Sequence, residues 1–149
     1  MFIKVFLIFL FLYNNSVFAE SYINNLEIIN DIGKPIHYRV EVAKTNEEQV
    51  KGLMYRLELK KNEGMLFLFD SEKNTSFWMK NTFIPLDIIF INKNGSINKI
   101  YKNTIPKSKK RIISKGEVLA VLEINAGEAI RNNIGYESFI NLEKYISSD

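Results

Sequence analysis

From residue 36 the chain alternates in character. Ile36, Tyr38, Val40 and Val42 are apolar, while His37, Arg39 and Glu41 are polar. A period of two puts the apolar set on one side of an extended chain, which predicts a half-buried strand with His37 on its outer face. Thr45 and Glu48 then have the spacing of a capping box, in which each side chain accepts from the other residue's amide. Val50, Leu53, Met54 and Leu57 follow on one stripe at helical spacing, so the pattern predicts an amphipathic helix. Gly52 weakens that helix but permits close packing against another backbone. Residues 65–69 are apolar without a break, residues 75–79 carry Phe77 and Trp78, and residues 86–91 are apolar on both faces. These read as core strands, the last one covered on both sides. Asn94 and Gly95 predict a hairpin with a type I′ turn, returning through a strand at 96–101.

Residues 22–30 predict a first strand, 118–124 a late one and 138–142 a last one. Between the last two, Asn125 is placed as an N-cap with Glu128 at the third helical position. The short helix runs to about residue 133, with Gly135 as its left-handed stop. The sum is an α+β chain, mostly β: seven or eight strands and two short helices in a compact, barrel-like antiparallel or mixed sheet. Strand and hairpin order without regular βα alternation argues against a doubly wound fold.

The first residues follow a different pattern. Lys4 precedes an apolar run from Val5 to Tyr13, and Val17-Phe18-Ala19 offers small side chains at the two positions a signal peptidase reads. This predicts a cleaved signal peptide over residues 1–19 and a single domain over 20–149, periplasmic or secreted. The alternative is an uncleaved N-terminal segment acting as an anchor. The apolar run is shorter than the roughly 20 residues that span a bilayer, so no stable membrane span is expected after its removal. With no cysteine in the chain, disulfides, thiol chemistry and lipoprotein processing are excluded.

Charge changes the picture at one place. The net charge is only +3, but Lys107, Lys109, Lys110, Arg111 and Lys115 cluster after Pro106. Such a cluster suits phosphate, anionic lipid or cell-wall polymer; its ordinary role is a solvated loop, the reading the sequence favours. No aromatic residue is interleaved with it along the chain, so a nucleic-acid partner is not expected.

Little conventional chemistry is available. One histidine and no cysteine leave no ordinary zinc site, and neither a phosphate loop nor a nucleophile elbow is present. Met54, Met65 and Met79 lack close M-x-M spacing and read as packing rather than soft-metal ligands. No metal or cofactor is implied. Three features remain. Trp78 precedes the hydrogen-bonding side chains of Asn81 and Thr82, which suggests a pocket with Trp78 as its floor or, more simply, a turn held by local bonds. Asp87 opens an otherwise apolar strand, where a carboxylate needs a partner. Arg56 and Glu123 each sit in apolar surroundings, and an ion pair between them would satisfy both.

The stretches Gly52-Leu53-Met54-Tyr55-Arg56 and Gly64-Met65-Leu66-Phe67-Leu68-Phe69 come first, followed by the block from Phe77 to Asp87 and then Leu122-Glu123-Ile124-Asn125-Ala126-Gly127. In this order they resemble the prokaryotic family known as domain of unknown function 192, over about residues 38–142. The resemblance implies a compact β-rich domain, agrees with export, and implies no reaction. The expected function is an exported binding or accessory module for an unknown small molecule or envelope protein. Its ligand site would draw on Arg56, Trp78, Asn81, Thr82, Asp87 and Glu123. Two alternatives stand beside it: a small hydrolase or lyase using Asp87 and Glu123 as acid and base, and a structural partner of an envelope complex.

Overall fold

The computed structural model describes residues 23–146; the signal peptide expected over residues 1–19 lies outside the described residues. Nine strands and three short helices follow one another in these residues. They are β1 (Ile23–Ile29), β2 (Pro35–Ala43), α1 (Asn46–Lys51), β3 (Glu63–Lys73), β4 (Ser76–Phe77), β5 (Leu86–Ile91) and β6 (Ile97–Tyr101). After these come β7 (Ile112–Ile113), β8 (Val118–Asn125), α2 (Glu128–Arg131), β9 (Phe139–Ile140) and α3 (Glu143–Ile146). Seven strands form one sheet in the order β6-β5-β8-β3-β2-β1-β9, and β4 pairs with β7 in a separate ribbon. β2 and β3 run parallel, and their crossover carries α1. The other pairs are antiparallel.

The sheet curls until its two edges meet. Ser96, just before β6, bridges Phe139 of β9, and the Ile140 amide donates to the Gly95 carbonyl at 2.9 Å. The result is a nearly closed mixed barrel. Closure removes the exposed strand edges that a seven-stranded sheet would otherwise present.

Two apolar layers explain the long uninterrupted runs in the sequence. Leu66, Ile89, Ile91, Leu122 and Ile124 point into the barrel with Leu26, Ile28, Tyr38 and Val40. Met65, Phe67, Ile88, Phe90 and Val121 leave the same strands on the outer side, where Leu53, Met79, Ile84 and Ile112 cover them. β3, β5 and β8 are therefore buried on both faces, whereas β2 keeps its alternation because its outer face at His37 and Arg39 meets solvent.

Several sequence expectations need correction. The capping box forms: Thr45 Oγ1 accepts from the Glu48 amide at 3.2 Å, and Glu48 accepts from the Thr45 amide at 2.9 Å. The helix nevertheless stops after six residues. Gly52 takes φ +46, and a Cβ there would lie 3.1 Å from the Phe67 ring, so glycine lets the chain turn tightly across that ring. Leu53 alone of the expected stripe is fully buried, while Val50 and Leu57 are exposed. In the hairpin Gly95 has φ +85 but Asn94 has no positive φ. A register shift beside the loop gives a bulged turn in place of type I′. α2 follows Gly127, not Asn125. Asn125 instead donates to the Leu59 carbonyl at 2.7 Å, and the left-handed residue after the helix is Asn133, not Gly135. A third helix, α3, joins the two expected ones. Among the described residues no helix is long and apolar enough to cross a membrane.

Candidate functional site

Glu123 sits near the end of β8, paired with Met65 of β3 on one side and Ile88 of β5 on the other. That register aims its carboxyl at the outer face of the barrel, among Met65, Phe67 and Ile88. It is 5 % exposed, and among the described residues it makes no hydrogen bond or ion pair. Burial without a compensating charge pushes its pKa up to about 8. At neutral pH the group is mainly a neutral acid, able both to donate and to accept.

A covering layer lies over this face, built from three segments tied by their backbones. The Tyr55 amide donates to the Asn81 carbonyl at 2.9 Å, the Met79 amide to the Ser108 carbonyl at 2.9 Å, and the Lys107 amide to the Thr82 carbonyl at 3.0 Å. The β4–β7 ribbon adds to this seam. Between sheet and cover remains a cavity of about 340 Å³, lined by Met54, Phe67, Phe77, Trp78, Thr82 and Glu123, with Lys51, Lys73 and Arg111 also on its lining. Phe67 and Phe77 meet edge to face with centroids 4.9 Å apart, forming a stiff aromatic wall. Arg111 is held by a 2.6 Å bond to Ser76 Oγ. The volume suits a small organic ligand, and the combination of aromatic walls with a few polar groups, the buried Glu123 and Thr82 among them, is typical of such sites.

The six residues singled out in the sequence divide. Trp78, Thr82 and Glu123 converge on the cavity. Trp78 is 43 % exposed, so it stands at the rim and is not the floor. Asn81 lies beside the cavity with φ +56 and donates to the Tyr55 hydroxyl at 2.8 Å; it latches two covering segments together. Arg56 does not reach Glu123. Its guanidinium forms a two-pronged pair with Glu41, both contacts 2.5 Å, and this bonding raises the Arg56 pKa. The parallel β2–β3 crossover brings Glu41 beneath the loop that carries Arg56, a pairing no local spacing announces.

Asp87 also lies elsewhere. It pairs with Ile124, so it leaves the sheet on the barrel's inner face, opposite to Glu123. Fully buried, it accepts from the Asn103 amide at 2.8 Å and from the Ala129 amide at 3.0 Å. It anchors the start of α2, which removes the expected acid–base pair with Glu123. Glu128 extends this inner polar cluster: Oε1 accepts from the Asn62 amide at 3.2 Å, while Oε2 has no partner. Burial, then the nearby Glu128, raises the pKa of the Tyr38 hydroxyl.

Sequence reasoning missed Phe67 and Arg111 as cavity residues. Phe67 was indistinguishable from core. Arg111 lay in a run that read as solvated loop, although the apolar pair Ile112-Ile113 directly after it signalled a strand anchoring that loop. Among the described residues no group of three His, Asp or Glu side chains could hold a metal ion.

Two of the solved structures that resemble the chain are these. One is a candidate transcription regulator from Sinorhizobium meliloti 1021, 35% identical with a TM-score of 0.77, the match covering 78% of this chain and 91% of that one. The other is a protein of unknown function from Novosphingobium aromaticivorans DSM 12444, 39% identical with a TM-score of 0.77, covering 80% and 84%. No curated protein matches the chain. The model of the DUF192 family, described as "Uncharacterized ACR", matches residues 28–141. The chain therefore belongs to the domain of unknown function 192 family.

Proposed function

We propose that this protein is an exported module that binds a small, largely apolar molecule in the cavity between the barrel and its covering layer. One observation carries the reading: a buried carboxyl, Glu123, faces a cavity of about 340 Å³ and has no protein partner. A carboxyl with no protein partner that opens onto a cavity is placed to take its hydrogen-bond partner from outside. A neutral Glu123 donates to a carbonyl or ether oxygen of the ligand. Phe67, Phe77 and Trp78 take the ligand's apolar body, and Arg111 at the lining suits a peripheral anionic group. Catalysis is not part of the proposal, because no second titratable acid or base lines the cavity with Glu123 except the cations Lys51, Lys73 and Arg111.

The test is recovery of the protein from its native envelope, followed by mass spectrometry of released small molecules. A defined compound is expected with the wild type and with Glu123→Gln, whose amide still donates. It is expected to be lost from Glu123→Leu and Trp78→Ala. Equal recovery from all four folded proteins, or none from the wild type, overturns the reading. Export rests on the pattern of residues 1–19. N-terminal sequencing of the envelope protein is expected to begin at Glu20; a start at Met1 would indicate an uncleaved anchor.

A further inference from the structure

The three covering segments, residues 49–57, 73–86 and 102–116, contain ten of the chain's 20 Lys and Arg residues and none of its 17 Asp and Glu residues. The hydrogen bonds of the cover bring these segments together, so a charge bias that is scattered along the sequence becomes one surface. Of these cations Arg56 is neutralised by Glu41; Lys80, Lys107, Lys109, Lys110 and Arg111 make no ion pair among the described residues.

The same layer exposes large apolar side chains. Tyr55 is 62 % exposed, Phe83 39 % and Ile105 73 %. Tyr55 and Phe83 meet edge to face at 6.2 Å. Lys107 Nζ stands 5.2 Å over the Phe83 ring, and Lys80 Nζ 5.0 Å over Trp78. Aromatic rings interleaved with lysines, with no carboxylate among them, match the boundary between lipid headgroups and acyl chains: rings enter that zone while ammonium groups meet phosphates.

We propose that this aromatic and basic face docks onto the surface of a bilayer containing anionic lipid. Single-stranded nucleic acid is the competing polyanion. Its bases need free ring faces for stacking, and here one face each of Trp78 and Phe83 is taken by a lysine ammonium group, while a headgroup layer accepts rings by their edges.

The experiment uses the full chain with vesicles of phosphatidylcholine alone or with about a third phosphatidylglycerol. The apolar N-terminal stretch contributes to both, so the reading is the difference between them. Trp78 is the chain's single tryptophan, and its emission reports the face directly. Anionic vesicles are expected to blue-shift it and to bind the protein more tightly than neutral ones by on the order of 100-fold or more, an advantage that shrinks as salt rises. Lys107→Gln, Lys109→Gln and Lys110→Gln combined should reduce the anionic binding on the order of 100-fold, from about a fivefold loss per cation. Lys34→Gln with Lys93→Gln, outside the three segments, should leave binding within about threefold. Phe83→Ala should weaken binding without altering its salt dependence. Equal binding to both vesicle types, an unshifted Trp78 emission, or tighter binding to a single-stranded oligonucleotide or to soluble polyphosphate than to anionic vesicles overturns the proposal.

Discussion

Asp87 and Glu123 lie on neighbouring strands, one residue out of register, and leave the sheet from opposite faces. Asp87 faces the barrel interior and is satisfied by two backbone amides; Glu123 faces the outer cavity and is satisfied by none. Adjacent carboxyls thus have unrelated tasks. One holds the barrel to α2, and the other opens onto the cavity.

Removing Asp87 should damage the fold. Asp87→Ala orphans the Asn103 and Ala129 amides inside the barrel, a loss of about 3 kcal/mol or more. Asp87→Asn keeps one acceptor oxygen and should lose less. Urea unfolding of both variants checks the order.

Glu123 should tie stability to pH. Its pKa is 4.5 when unfolded and about 8 when folded. Between those values the unfolded chain has released the proton that the folded chain still holds, so stability falls as pH rises. The stabilising contribution is complete below about pH 4.5 and gone above about pH 8, a change of about 5 kcal/mol at most. Glu123→Gln should flatten thermal stability across this window and be more stable than wild type at pH 8.

Arg56 and Glu41 should be coupled to each other and not to Glu123. Their two-pronged contact is half-buried, which sets a coupling of about 1–2 kcal/mol. A double-mutant cycle with Arg56→Gln and Glu41→Gln measures it; the same cycle between Arg56 and Glu123 should give a value near zero.

Gly95 should be intolerant of a side chain. With φ +85, an added Cβ would run into the Ile140 carbonyl and approach the Phe139 ring at 2.7 Å. Gly95→Ala should therefore cost about 2 kcal/mol or more and raise amide exchange at Ile140, whose N–H closes the barrel.

Much of the fold was legible because period and burial speak locally. The alternation around Tyr38 and Val40, the capping box at Thr45 and the doubly apolar run of β5 all became the elements they announced. What failed was set by distant contacts. Gly52 ended a helix early because Phe67 passes beneath it. Arg56 found Glu41 through a parallel crossover that pattern alone does not reveal. Residue types nominated Asp87 and Glu123 equally; only strand register separated them. The basic run after Pro106 lacked aromatics along the sequence, and the fold supplied them from Phe83 and Trp78.

The central claim is that Glu123 is a neutral acid aimed into an open cavity. Its side-chain carboxyl can be followed by carbon-13 NMR in the full chain from pH 4 to 10. The account predicts a titration midpoint near 8. A midpoint near 4.5, the value of a solvated glutamate, would contradict it.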